Sequence, residues 1–248
     1  MSRGVVKWLS LLVCGVSSAA AFASDTDSLW SLQGQPLHLN KRDHSTGVWR
    51  APGDRASLVY GDDGSAVLKI GTFKTDVADI ASYAASIEVS WSPEAQGVFV
   101  NASEGGAVGT WSSRVFVTRG GKVVEIPARK NVDKRRVILT IPCGGDESDA
   151  LNGNRCVNFA SLAWLDHGRK LLVVQMVPDS SRYPNMGEAS LFLIDLRTAN
   201  VEKIISPKEA LSSYRQYLAP WIREALTDDV NQRPHWNADL TTPSSPKQ

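Results

Sequence analysis

The side chains best suited to catalysis or metal binding are thinly spread along this 248-residue chain. Its four histidines are His38, His44, His167 and His235, and no two of them have the close spacing that metal sites use. The sequence contains no nucleophile elbow, phosphate-binding loop or dinucleotide fingerprint. The sequence therefore favours a non-enzymatic protein, and we predict no catalytic, metal-binding or cofactor-binding residue. A hydrolase acting on envelope polymers is the alternative, because catalytic pairs can assemble from distant positions.

Export is indicated by the N-terminus. Residues 1–23 combine a basic start, an apolar run over residues 8–16 and small residues ending at Ala23. This is the pattern of a secretory signal peptide, and it predicts cleavage near Ala23 and a periplasmic or secreted protein. The apolar run is shorter than the roughly 20 residues needed to span a bilayer. No later run is longer, so we expect no transmembrane segment in the mature chain.

The two cysteines beyond residue 23 frame a polar loop. Cys143 and Cys156 enclose residues 144–155, which have almost no apolar side chains to bury. In an oxidising compartment an even number of cysteines predicts a disulfide, here Cys143–Cys156. Closing a loop of this size stabilises a protein by about 3 kcal/mol on the chain-entropy model. We interpret the segment as a stapled surface loop.

The charge balance bears on the class of partner. The chain carries a net charge of +1, and loss of Arg3 and Lys7 with the signal peptide would make it −1. Such a balance argues against nucleic acid as the main partner. The basic run over residues 129–136 is the only local charge cluster, and Arg135 and Arg136 are its candidate contact residues. An anionic surface is one partner for them, and a solvated connection is the simpler interpretation.

Trp111 is the aromatic candidate for a contact with a partner. It lies within a glycine- and serine-rich stretch, residues 105–113, where a large side chain is unusual. Tryptophan is common at the centre of binding interfaces. Core packing or local anchoring of the loop is the alternative interpretation.

Short apolar runs bounded by turn residues indicate an all-β protein, either propeller-like or an antiparallel β-meander. One strand is expected near Leu37–Leu39. The other predicted strands are 57–60, 66–70, 87–91, 98–102, 114–118, 122–126, 136–141, 157–164, 170–176, 191–196 and 201–205. Gly120 and Gly121 mark a tight hairpin, because glycine accepts positive φ.

A C-terminal α-helical segment over residues 206–230 is predicted to follow the β-rich domain at 24–205. Ser206, Pro207 and Glu209 have the sequence form of a capping box with proline at the first helical position. Pro220 should bend this helix or divide it in two. Residues 231–248 are polar and contain prolines, which predicts a disordered tail.

Two segments repeat the same pattern of a strand ending in tryptophan, an acidic and glycine-containing turn, and an apolar strand. They are residues 87–100 around Trp91 and residues 159–174 around Trp164. The pattern resembles the blade motif of TolB-like and PD40 β-propellers, and Asp195-Leu196-Arg197-Thr198 resembles the outer turn of such a blade. The resemblance implies propeller-like repeats, with residues 127–158 as an insertion, and a scaffold for binding.

These observations together predict an exported, non-enzymatic binding or scaffold protein of the periplasm or cell envelope. Its expected partner is a protein or an envelope component, and no cofactor is predicted. A secreted inhibitor or immunity-type protein is a further alternative beside the hydrolase. The sequence leaves the identity of the ligand open.

Overall fold

A computed structural model describes residues 29–38, 47–61, 65–77, 86–103, 111–135, 157–177 and 187–232. Within these ranges thirteen strands and three α-helices are present. The strands are β1 (Gln35–His38), β2 (Gly47–Arg50), β3 (Ala56–Tyr60), β4 (Ala66–Ile70), β5 (Phe73–Asp76), β6 (Ser86–Trp91), β7 (Gly97–Ser103), β8 (Trp111–Arg119), β9 (Lys122–Ile126), β10 (Asn158–Leu165), β11 (Lys170–Met176), β12 (Ala189–Asp195) and β13 (Asn200–Ile205). The helices are α1 (Ala128–Arg135), α2 (Pro207–Ser213) and α3 (Pro220–Gln232).

The strands form three antiparallel sheets, and consecutive strands are neighbours in each of them except that β1 joins the middle sheet beside β6. The first sheet has the order β2-β3-β4-β5, the middle sheet β1-β6-β7-β8-β9 and the third sheet β10-β11-β12-β13. The β8–β9 turn places Gly120 and Gly121 at φ 53° and 75°. Positive φ at both turn residues is the geometry that matches the twist of a two-residue hairpin. Over the described ranges the sheets do not close into a barrel or a propeller ring.

The sheets and helices pack as four layers. One face of the middle sheet buries Val89 and Phe116 against Leu68 of the first sheet. Its other face buries Phe99 against Phe192 of the third sheet. The far face of the third sheet is covered by α2 and α3, whose buried residues include Ala210, Ile222 and Leu226. The alternation of side chains along a strand lets the middle and third sheets bury apolar residues on both faces.

The C-terminal helices begin where the sequence indicates. Ser206 is the N-cap of α2, and its Oγ accepts a hydrogen bond from the Glu209 amide at 3.3 Å. A 3-10 turn over Arg215–Tyr217 separates α2 from α3, and α3 begins at Pro220. The prediction that Pro220 divides the helical segment is confirmed. No helix in the described part of the chain is both long and apolar enough to cross a bilayer.

The prediction of a mostly β protein with a C-terminal helical segment is confirmed in this coarse form. The predicted strands within the described ranges are present, and the tryptophans of the two repeated segments, Trp91 and Trp164, are buried. Helix α1 replaces the connection expected around residues 129–135, and β2 and β5 were not predicted. The predicted strand at 136–141 and the predicted tail beyond residue 232 lie outside the described residues.

Candidate functional site

Two adjoining cavities open on the side of the sheets where alternate hairpin turns lie. We call the first the basic groove; it lies between the β6–β7 and β8–β9 turns of the middle sheet and the β10–β11 and β12–β13 turns of the third sheet. The second cavity lies between turns of the first and middle sheets. Each has a volume of about 780 Å³, and Glu94, Gln96 and Thr118 line both. These three residues therefore form a ridge between the two cavities.

Tight turns fix the walls of the basic groove. Ser92 Oγ accepts hydrogen bonds from the amides of Gln96 at 3.1 Å and Gly97 at 2.9 Å, which closes the β6–β7 turn. Across the groove, Asp166, His167 and Gly168 all have positive φ. A Cβ atom on Gly168 would lie 3.2 Å from Ser92 Cβ, so glycine suits both the backbone geometry and the close approach of the two turns.

The charged lining of the basic groove is mostly cationic. Its cations are Arg119, Arg169, Lys170 and Arg197, and its carboxylates are Glu94, Asp166 and Asp195. The formal charge of this lining is therefore +1 with His167 neutral.

Several of these charges are already compensated. Arg169 Nη2 lies 2.6 Å from Asp166 Oδ1, and Lys170 Nζ lies 2.7 Å from Glu202 Oε1. The hydrogen bond from Lys170 to Glu202 raises the pKa of the Lys170 amine. Asp195 accepts the Thr198 amide at 2.8 Å, and this bond lowers the pKa of the Asp195 carboxyl.

Arg119 and Arg197 differ from the other two cations. Among the described residues neither has an ion-pair partner within 4.0 Å. Arg119 is half-buried, and its Nη2 atom is shielded from solvent without a hydrogen-bond partner. Arg197 is exposed at the β12–β13 turn on the opposite wall. The groove thus presents, from two different sheets, two guanidinium groups that form no ion pair within 4.0 Å with any described residue. The charge of Arg197 also contributes to lowering the pKa of the nearby Asp195 carboxyl.

A second polar cluster lies inside the protein, where the middle sheet meets the third sheet. We call it the polar junction; its central residues are Glu88 of β6, Asn101 of β7 and Ser161 of β10. The fully buried Glu88 carboxylate accepts the amides of Leu29 and Trp30 on Oε2 and, on Oε1, the Ser31 amide and Asn101 Nδ2, at 2.8–3.2 Å. Burial raises the pKa of Glu88 to about 7, although these hydrogen bonds lower it.

The polar junction has a structural role. Asn101 Nδ2 donates to the Ser161 carbonyl at 2.8 Å, and its Oδ1 accepts the Ser161 amide at 2.9 Å. Ser31 Oγ donates to the carbonyl of Leu162, beside the irregularity in the pairing of β10 with β11. A Cβ atom on Gly34 would lie only 2.4 Å from the Glu88 side chain, so glycine is required there. The junction is therefore a buried joint between the middle and third sheets.

Trp111 is packed at the start of β8, on the side of the third sheet and its covering helices. Its ring meets the rings of Trp30 and Trp221 edge-on, with centroids 6.1 and 4.9 Å away. Its amide donates to Asn158 Oδ1 at 3.0 Å. Trp111 is half-buried and lies outside both cavities, and its role as a contact residue stays a prediction.

The remaining predicted site residues do not meet at the groove. Arg135 is exposed at the end of α1 and lines neither cavity. Arg136, the Cys143–Cys156 disulfide and the predicted cleavage site at Ala23 lie outside the described residues. No group of three histidine, cysteine, aspartate or glutamate side chains that could hold a metal ion occurs in the ranges that the structure describes.

Sequence reasoning did not identify Arg119 or Arg197 as site residues. Arg197 was noted only as part of a turn, and Arg119 directly precedes the predicted hairpin turn at Gly120 and Gly121. The turns contain the signal that could have found both residues. In an antiparallel meander every second turn lies at the same end of the sheet. Charged residues at alternate turns of neighbouring meanders are therefore candidates for a shared site.

No family model, curated protein or solved structure matches this chain.

Proposed function

We propose that this chain is an exported, non-enzymatic binding protein of the periplasm or cell envelope, and that the basic groove is its ligand site. The observation that carries the proposal is the groove itself, a cavity of about 780 Å³ built from turns of two packed sheets. Sites on turns held by a rigid scaffold are a common arrangement for binding. Because only the ridge of Glu94, Gln96 and Thr118 separates the two cavities, a larger ligand can lie across it and contact both.

The fold assignment within this proposal is a set of propeller-like repeats. Its support is the four-strand meander in each sheet and the similar placement of two tryptophans. Trp91 ends β6, and Trp164 lies one residue before the end of β10. The resemblance to TolB-like and PD40 blades is a proposal on the same grounds, and it adds weight to a binding role.

Export and groove binding are tested together with the full chain expressed in a bacterial host. The chain is expected in the periplasmic fraction with its N-terminus at Ser24, as read by mass spectrometry of the purified protein. That protein is then incubated with washed cell envelopes, and the amount that co-sediments is measured. We expect saturable binding.

The groove is tested with a matched pair of variants. Gln96→Trp places a large ring on the exposed ridge between the cavities, whereas Val124→Trp places the same ring on β9, outside both cavities. Gln96→Trp should weaken co-sedimentation at least tenfold, and Val124→Trp should leave it unchanged. Equal binding by both variants would contradict the groove, and protein-dependent release of soluble envelope fragments would favour the hydrolase alternative.

A further inference from the structure

We infer that the basic groove binds an oxyanion, a phosphate or carboxylate group, between Arg119 and Arg197. The inference rests on the proposed function and adds the chemical class of ligand to it. Guanidinium groups suit such ligands because their planar array of donors matches the oxygens of a carboxylate or phosphate.

The direction of Arg119 follows from the alternation of side chains along β8. Val115 and Val117 are buried against the third sheet, whereas Phe116 is buried against the first. Arg119 is two residues beyond Val117, so its side chain leaves the same face of the strand and enters the space between the middle and third sheets. The lining of the groove agrees with this direction.

The environment of Arg119 is one that an anion would stabilise. Packing removes water from Nη2 without supplying a carbonyl or carboxylate in its place. A partly desolvated charge interacts more strongly with a counter-charge than a fully hydrated one does, because the local dielectric constant is lower. The carboxylates Asp166 and Asp195 are already engaged by Arg169 and Thr198. An external oxyanion would contact the part of the Arg119 side chain that lines the groove, beside the shielded Nη2.

Arg197 supplies the second point of contact. It extends the β12–β13 turn of the third sheet, and Arg119 ends β8 of the middle sheet. A ligand bound by both residues would therefore contact both walls of the groove. Because the two arginines belong to different sheets, their contacts fix the orientation of a bound oxyanion as well as its position.

The test measures the thermal stability of the full mature chain in sodium phosphate, sodium acetate and sodium chloride at equal ionic strength. A ligand that binds the native state and not the unfolded chain raises the Tm, and the rise grows with the logarithm of its concentration once that concentration exceeds the Kd. We expect phosphate, acetate or both to raise the Tm above its value in chloride, with a Kd of about 1 mM or tighter by calorimetry. An effect of phosphate alone would assign a phosphate-bearing ligand, and an effect of acetate alone a carboxylate-bearing one.

Three substitutions locate the effect. Arg119→Gln and Arg197→Gln should each weaken oxyanion binding at least tenfold. Arg215→Gln, at an exposed position outside the groove, should leave it unchanged. Arg197 is an exposed turn residue whose replacement leaves the core intact, so it keeps the test valid if Arg119→Gln folds poorly. An equal rise of Tm in all variants, or no rise over chloride, would overturn the inference.

Co-sedimentation with envelopes separates this inference from the proposed function. If Gln96→Trp prevents envelope binding while phosphate and acetate have no effect, the groove is the site and the oxyanion inference is wrong. If oxyanions bind through Arg119 but envelopes do not bind at all, the inference holds and the proposed partner is wrong.

Discussion

Glu88 is fully buried and accepts four hydrogen bonds, and these two conditions act in opposite directions on its ionisation. Removal of water disfavours the carboxylate, whereas donors aimed at its oxygens favour it. Burial has the larger effect and raises the pKa of Glu88 from 4.5 to about 7. The folded protein therefore retains a proton on this side chain at pH values where the unfolded chain has lost it.

This difference predicts a pH-dependent contribution to stability. Between about pH 4.5 and 7 the folded state binds more protons, so the contribution of Glu88 falls as the pH rises and is constant above this window. The loss is roughly 3 kcal/mol, since each unit between the two pKa values corresponds to about 1.4 kcal/mol. The free energy of unfolding is measured by urea denaturation for wild type and for Glu88→Gln. The wild-type value minus the Glu88→Gln value should decrease by this amount as the pH rises from about 4.5 to 7.

Glu224→Gln provides the control for this measurement, because Glu224 is exposed on α3. Its unfolding free energy should follow the wild-type pH profile. If the unfolding free energy of Glu88→Gln also changes with pH in the same way as that of wild type from pH 4.5 to 7, the pKa of Glu88 is not raised by folding and the prediction is wrong.

At the scale of elements, Asn101 joins strands that belong to different sheets. Its amide group forms two hydrogen bonds with the Ser161 backbone of β10 and one with Glu88 of β6. Both Asn101 and Ser161 are buried, so water does not replace these bonds when the side chain is removed. The strands β7 and β10 belong to different sheets and are not paired through their backbones, so these side-chain bonds join them instead.

Asn101→Ala should therefore destabilise the protein by about 2–4 kcal/mol, because it leaves buried backbone groups of Ser161 without partners. Thermal or urea unfolding measures the change. Asn200→Ala, at an exposed position in the β12–β13 hairpin, should change the stability by less than about 0.5 kcal/mol. A loss for Asn101→Ala no larger than that of the control would show that the bonds between Asn101 and Ser161 contribute little to stability, and would contradict the prediction.

The elements differ in how far the sequence could predict them. Strands such as β11 and β12 are apolar and bounded by turn residues, so their local pattern is sufficient. Helix α1 was missed because only Ala128 and Val132 are buried in it, and its other residues are mostly basic. Its packing against β8 and β13 stabilises it, and that contact is absent from the local sequence. The strands β2 and β5 are short and lie at sheet edges, where an apolar pattern is weak.

At the scale of the whole molecule, the candidate site depends on how separate meanders stack. Arg119 and Arg197 are far apart in sequence, and each looks like an ordinary turn residue. They line one cavity because the apolar faces of the middle and third sheets are packed together. Composition and spacing could predict the meanders, but not which faces would meet. Trp111 and the basic run were chosen from the sequence because of their residue types. That choice could not take into account which sheet faces pack together.

The packing of residues 29–34 has a consequence for the order in which the chain folds. Ser31 Oγ donates a hydrogen bond to the Leu162 carbonyl. The indole Nε1–H of Trp221 donates to the carbonyl of Leu29, which lies 192 residues earlier in the chain. Contacts of such separation form late, because a long loop must close first. In pulse-labelled refolding, the amides of Trp30 and Ser31 should gain protection from hydrogen exchange after those of Val173 and Phe192. Simultaneous protection would contradict this order. Because Leu29 is bound by a residue of the last described helix, this contact can form only after nearly all of the described chain has been synthesised.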